Sequence, residues 1–270
     1  MSIKKVLACT LATTAALATM SFASCGGKND GKTLYVYTNA GFAPYEYVNE
    51  QGDVVGVDID IMNYIGNELG YNVIINDIEF NQILHEVENN KMAVGAAGMT
   101  KKAERDDVAL ASISYATSVQ YAIVPDGTFD ADDLTDGKLP LSKLGEMSKK
   151  SVGVQIGTTG EFMVDDALVE GGDLYGINYN KLGYSNAIIA SQDIGTTLGA
   201  VIIDKLPAQS IVNANSGLEC FELDAEPESY VLYFNKEATE LVEQVNTILS
   251  EMIANGTIDQ YTLNHSGASN

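Results

Sequence analysis

The chain has 270 residues, a formal net charge of −22, fourteen lysines, one arginine, two histidines and three cysteines. An acid excess of that size repels nucleic acid and anionic membrane surfaces, so a ligand is expected in a specific pocket and not on an electrostatic patch. With only His85 and His265, and no Cys/His cluster at metal-ligand spacing, neither a metal site nor a cofactor is expected.

Residues 1–24 hold Lys4 and Lys5, no acid, and an apolar Ala/Thr-rich core from Val6 to Ala23. That pattern is a secretory signal, too short in its apolar part for a stable membrane span. The stretch Phe22-Ala23-Ser24-Cys25-Gly26-Gly27 resembles a bacterial lipoprotein cleavage box, with Phe22 where Leu is usual. The resemblance implies that Cys25 becomes a lipid-bearing first residue; ordinary cleavage with a free Cys25 is the alternative. Residues 25–32 would then tether the protein to the outer face of the cell membrane. Cys9 leaves with the signal and Cys220 has no partner but Cys25, so no disulfide is expected. Removing residues 1–24 takes away two lysines and moves the net charge to −24.

The remaining 33–270 is long enough for two lobes, and strand and helix signals alternate through it, which predicts an α/β fold. Leu34 to Thr38 is a predicted strand. Asp60 is expected to cap a helix with an apolar stripe of Ile61, Tyr64, Ile65 and Leu69, stopped by Gly70. Asp58 is likewise assigned to capping and not to catalysis. Tyr71 to Ile75 is the next strand, Ile83, Leu84 and Val87 mark a second helix, and an apolar run from Met92 ends at Gly98 as a buried strand. Tyr115 to Pro125 is a loose extended run and 126–136 an acidic loop, where the chain is expected to cross to the second lobe. Ser151 to Ile156 is a strand. Gly157-Thr158-Thr159-Gly160-Glu161 opens a helix whose N-terminus is either an anion site or a simple capped turn. Glycines at 153, 157 and 160 have the wrong first spacing for a dinucleotide fingerprint. Ala200 to Asp204 is a short buried strand. Its terminal acid either faces the crevice where ligands sit in α/β lobes or caps the helix near Pro207. Tyr230 to Phe234 is the predicted return strand. Leu241, Val242, Val245, Ile248, Leu249, Met252 and Ile253 form the strongest amphipathic helix, ended by Asn255-Gly256.

Arg105 is the only guanidinium in a chain that otherwise uses lysine. It follows the Gly98-Met99-Thr100 turn by five residues past Thr100. A planar guanidinium grips a carboxylate through two parallel hydrogen bonds, which an ammonium cannot copy. Arg105 is therefore either the seat of a small carboxylate or a surface partner of Glu104, Asp106 or Asp107. Together, a guanidinium and Thr100 in one lobe, with a Gly-Thr-Thr turn and Asp204 in the other, supply donors for an α-carboxylate and an acceptor for an α-ammonium.

Phe42-Ala43-Pro44-Tyr45-Glu46, Gly56 to Asp60, Gly98-Met99-Thr100 with Arg105, Ser114-Tyr115, Gly157-Thr158-Thr159, Ala200 to Asp204 and Asn255-Gly256-Thr257 stand in an order that resembles the extracellular solute-binding proteins serving polar-amino-acid ABC transporters. The resemblance implies a two-lobed, periplasmic-binding-protein-like (type II) α/β fold with a ligand cleft between the lobes. Lobe 1 would comprise 33–116 plus 232–265, and lobe 2 117–231. It implies that Arg105, helped by Thr100, Gly98 and Thr159, binds the α-carboxylate and Asp204 the α-ammonium, with Thr158 also among the ligand-binding residues. Phe42 and Phe80 would sandwich the side chain, with Asn39 and Gln155 at its far end.

The sequence departs from the family at Ala111-Ser112-Ile113-Ser114-Tyr115, where Phe-Ser-x-Pro-Tyr is frequent, at Gly199, often Asp, and at Lys102-Ala103, often Thr-Pro. Asn39 is neutral where members that bind cationic amino acids commonly carry an acid, and Gln155 is neutral too. Because an unpaired buried charge is costly, a neutral, polar ligand side chain is expected. The implied partners are a free amino acid, a membrane permease and, through Cys25, the membrane; a monomer is expected. No nucleophile with a base beside it and no cleft carboxylate beyond Asp204 is recognised, so an enzyme of the dehydratase kind known on this fold is the lesser reading. A binding protein that feeds a sensor is another.

Overall fold

A computed structural model describes residues 32–267. The expected signal, Cys25 and the tether as far as residue 31 lie outside the described residues.

The first half of the chain carries β1 (Thr33–Thr38), β2 (Tyr47–Val48), β3 (Val54–Val55), α1 (Val57–Leu69), β4 (Asn72–Asp77), α2 (Ile83–Asn89), β5 (Ala93–Gly95), α3 (Ala103–Asp106), β6 (Ala109–Ala111) and β7 (Ala116–Ser118). There follow β8 (Gln120–Pro125), β9 (Ser151–Gln155), α4 (Thr159–Leu168), β10 (Asn180–Tyr184), α5 (Ala187–Ser191), β11 (Ala200–Asp204), α6 (Lys205–Ala214), β12 (Leu218–Glu222), β13 (Glu228–Tyr230), β14 (Tyr233–Asn235), α7 (Thr239–Ala254) and α8 (Thr257–His265).

These elements make two sheet-centred lobes. One sheet has the order β4-β1-β5-β14-β6 and the other β10-β9-β11-β8-β12. In each, three parallel strands are flanked by an antiparallel pair. A central parallel strand is covered on both faces, which explains the unbroken apolar runs. Every residue of β9 and of β11 is buried. The edge strand β4 alternates instead and leaves Ile74 exposed. The chain passes between the lobes through a short antiparallel ribbon of β7 and β13, with Glu228 opposite Ser118 and Tyr230 opposite Ala116.

Three expectations need correction. Helix α1 starts at Val57, and neither Asp58 nor Asp60 caps it; the cap residue is Gly56, with no side-chain bond. Gly56 has φ 141°, and a Cβ there would lie 2.1 Å from the Tyr45 carbonyl oxygen, so only glycine brings the chain this close. Asp60 accepts instead from His265 at 3.0 Å, fastening α8 to α1. The strand expected to reach Gly98 stops at Gly95, because the chain then turns through Gly98 at φ 54°. The return strand is split into β13 and β14, since Val231 and Leu232 leave the ribbon before the chain joins the first sheet.

Candidate functional site

The carboxyl ends of the parallel strands of both sheets converge on one cavity, as the topology of open α/β sheets demands. Its walls are Asn39, Phe42, Glu46, Phe80, Ala97, Gly98, Thr100, Arg105, Gln155, Thr158, Thr159 and Asp204. All ten residues singled out from the sequence thus line a single space. The void left between them is about 20 Å³, room for a water.

Arg105 is buried, which excludes the surface ion-pair reading. Its Nη1 donates to the Thr100 carbonyl at 2.9 Å and its Nη2 to the Gly157 carbonyl of the second lobe at 3.0 Å. The guanidinium carbon stacks over the Phe80 ring at 5.4 Å from its centroid. Burial lowers its pKa from the usual value, against the raising effect of Tyr233, Glu228 and Asp204. The Gly98 turn is held by Asp58, whose Oδ2 accepts the Gly98 N–H at 2.9 Å. A Cβ on Gly98 would meet the Phe42 ring at 2.6 Å, so glycine at 98 and phenylalanine at 42 require each other.

At the second lobe, Thr158 is the N-cap of α4: its Oγ1 accepts from the Glu161 N–H and donates to the Gln155 carbonyl. The Gly157 N–H goes to Glu161 Oε2 at 2.7 Å. The capped-turn reading therefore accounts for the Thr158 hydroxyl and for part of the helix terminus, leaving the Thr159 and Gly160 N–H groups without partners inside the helix. Asp204 stands at the cap position of α6 but makes no capping bond there. Its Oδ2 accepts from Gln120 Nε2 at 3.1 Å. Burial, and next the charge of Glu228, push the Asp204 carboxyl up to about 7, against the lowering effect of the Tyr230 and Ser118 hydroxyls and Gln120 beside it.

Asn39 Nδ2 donates to the Ile78 carbonyl at 2.7 Å, and Gln155 Nε2 donates to Asn39 Oδ1 at 2.8 Å. The Ile78 carbonyl fixes which way the Asn39 amide points, and Asn39 in turn fixes Gln155. Each of these amides spends one of its two N–H donors in this way, so the pair keeps N–H donors as well as carbonyl acceptors at this end of the cavity.

The expectation of one cleft carboxylate is wrong. Glu46 is fully buried in the cavity wall, and its Oε2 lacks a partner among the described residues. Burial first, then the charges of Asp58, Asp204 and Asp77, raise its pKa well above the ordinary carboxylate range. Glu228, on β13, accepts from Thr100 Oγ1 at 2.5 Å, Thr159 Oγ1 at 2.8 Å and Gln120 Nε2 at 3.0 Å. Glu46 carries a signal in the sequence, a lone acid after Phe42-Ala43-Pro44-Tyr45; Glu228, among Asp224 and Glu226, and Gln120, at the head of an apolar strand, carry none.

The family model for bacterial extracellular solute-binding proteins, family 3, matches residues 34–267. The chain is 25% identical over 256 residues to the arginine-binding extracellular protein ArtP of Bacillus subtilis, covering 91% of this chain and 92% of that protein. It is 26% identical over 275 residues to a probable histidine-binding protein of Neisseria gonorrhoeae, covering 96% and 94%. An ancestral arginine-binding protein, solved with arginine, superposes with a TM-score of 0.75 at 29% identity over 87% of this chain and 98% of its own. An ancestral arginine-binding protein solved with glutamine gives 0.74 at 29% identity over 86% and 97%. Two lobes, a cleft at their strand ends and a family match along nearly the whole described chain agree, and the protein belongs to the bacterial extracellular solute-binding proteins of family 3.

Proposed function

We propose that the protein captures a free L-amino acid between its lobes and presents it to the permease of an ABC transporter. The observation that carries this reading is a buried guanidinium, Arg105, and a buried carboxylate, Asp204, lining one cavity. Arg105 with Thr100, Gly98 and Thr159 takes the α-carboxylate, and Asp204 takes the α-ammonium. Phe42 and Phe80 flank the side chain, which ends against Asn39 and Gln155. That amide pair keeps both N–H donors and carbonyl acceptors, which suits a polar side chain able to donate and to accept. With no charge on Asn39 or Gln155 at that end, a neutral amide such as glutamine fits before a cation such as arginine. Relatives named for arginine and histidine, and ancestral arginine-binding proteins solved with arginine and with glutamine, support a nitrogen-rich polar side chain. Non-catalytic capture is the reading that membership of this family of solute-binding proteins supports. Delivery at the cell surface by a lipid on Cys25, and lobes hinged at the β7–β13 ribbon, complete the proposal.

The ligand holds the lobes closed only through contacts it makes better in the closed state, here those with Thr159 and Asp204 of the second lobe. The test is a thermal-shift screen of refolded protein against the twenty amino acids. A shift with glutamine or another N–H-bearing polar amino acid supports the reading, by mass action on the folded state. A flat response to all twenty overturns it.

A further inference from the structure

The two threonines assigned to the ligand carboxylate have already given their protons away. A hydroxyl carries a single proton, and those of Thr100 and Thr159 both go to one atom, Glu228 Oε2, at 2.5 and 2.8 Å. The other carboxylate oxygen of Glu228 accepts from Gln120 Nε2, which also donates to Asp204 Oδ2. Thr100 follows β5 in the first lobe, Thr159 and Gln120 belong to the second, and Glu228 lies on the ribbon between the lobes. Glu228, with Thr100 and Thr159, also walls a separate open groove of about 800 Å³. One carboxylate therefore bridges both lobes and occupies the hydroxyls that a ligand carboxylate needs.

We propose that Glu228 is an internal competitor that the ligand must displace, and that this makes the cleft selective for zwitterions over simple carboxylates. The proposal rests on the amino-acid reading above. Glu228 and Asp204 share one amide donor, Gln120 Nε2, and like charges held on one donor repel; burial first, and then the Glu228 charge, raise the Asp204 pKa. A plain carboxylate that replaced Glu228 on the threonines would exchange one anion for another beside Asp204 and relieve nothing. An amino acid brings an ammonium as well, which neutralises Asp204 while its carboxylate takes the hydroxyls. Selectivity for the zwitterion then comes from the repulsive element as much as from the attractive ones.

The experiment compares wild type with Glu228→Gln and Glu228→Ala. The probes are L-glutamine, L-arginine and 5-amino-5-oxopentanoate, which is glutamine without its α-amine; the readout is calorimetry, with small-angle scattering of each empty protein. Removing the competitor should tighten amino-acid binding about tenfold, the scale of one charge-assisted hydrogen bond. The des-amino probe should gain more than the amino acids do. The empty variants should scatter with a larger radius of gyration, because a bridge between the lobes is gone. Wild type that binds an amino acid, together with folded variants that bind it equally or more weakly and scatter unchanged, overturns the competitor and leaves the amino-acid reading intact. Wild type that binds neither amino acid, with variants that scatter as larger particles, overturns the ligand assignment and upholds the bridge. Glu228→Gln is near-isosteric and protects the test against loss of folding in Glu228→Ala.

Discussion

The Tyr115 hydroxyl lies 2.7 and 2.8 Å from the two carboxylate oxygens of Asp58, and Asp58 carries the Gly98 N–H on one of them. All three groups sit in the first lobe and are buried. The acid that looked like a helix cap is thus the clamp that shapes the turn before Thr100 and Arg105. Asp58→Ala leaves a hydroxyl and an N–H unsatisfied in the interior, at a cost of about 1–3 kcal/mol for each. Chemical denaturation should show a loss of about 2 kcal/mol or more, and calorimetry should show weakened ligand binding. An Asp58→Ala protein as stable as wild type would show that the clamp is unimportant.

Arg105 is expected to dominate binding. Arg105→Ala should weaken amino-acid affinity by about 2–5 kcal/mol, since it leaves a buried carboxylate without its partner. Arg105→Lys should recover little, because one ammonium cannot reach the Thr100 carbonyl, the Gly157 carbonyl and a ligand carboxylate together. Titration of each purified variant checks both statements.

The buried acids set a pH dependence. Burial pushes Asp58 up to about 6, and burial with the Glu228 charge pushes Asp204 up to about 7, from an ordinary value near ~4. The folded protein then holds protons that the unfolded chain releases, so this stabilisation is complete below about pH 4 and is lost as pH rises through 6 and 7. The melting temperature of the empty protein should fall between pH 5 and pH 8, and Asp204→Asn should remove the upper part of the fall. A melting temperature that climbs over that range would contradict the assignment.

Specificity should be adjustable at the far end of the cavity. Asn39→Asp puts a carboxylate where Gln155 Nε2 can still donate, and it gives a cationic side chain a partner. Arginine and lysine should gain about tenfold over glutamine, roughly the worth of one charge-assisted hydrogen bond. Competition between the amino acids on the variant measures the ratio.

Much of this was written in local pattern. The apolar runs at β9 and β11 and the stripe of α7 announced themselves because a strand covered on both faces and a helix covered on one leave unambiguous spacings. The solitary Arg105 stood out by chemistry alone. What escaped was long-range. Asp58 was taken for a cap because acids at helix starts usually cap; its real partners, Gly98 and Tyr115, are 40 and 57 residues away. Glu228 meets Thr100 across 128 residues, and nothing in its neighbourhood on the chain reveals that pairing. The neutral-pocket argument counted Asn39 and Gln155 and omitted Glu46 for the same reason: burial of an acid is decided by what the fold lays over it.

The most direct test of the central claim is a calorimetric titration of refolded protein with L-glutamine and with its α-amide, which keeps the ammonium and side chain but has no carboxylate. If Arg105 seats the α-carboxylate, glutamine binds with one-to-one stoichiometry and the amide at least a hundredfold more weakly, the scale of a buried charge left unpaired. Equal affinity for the two would contradict the account, because the guanidinium would then have no ligand charge to hold.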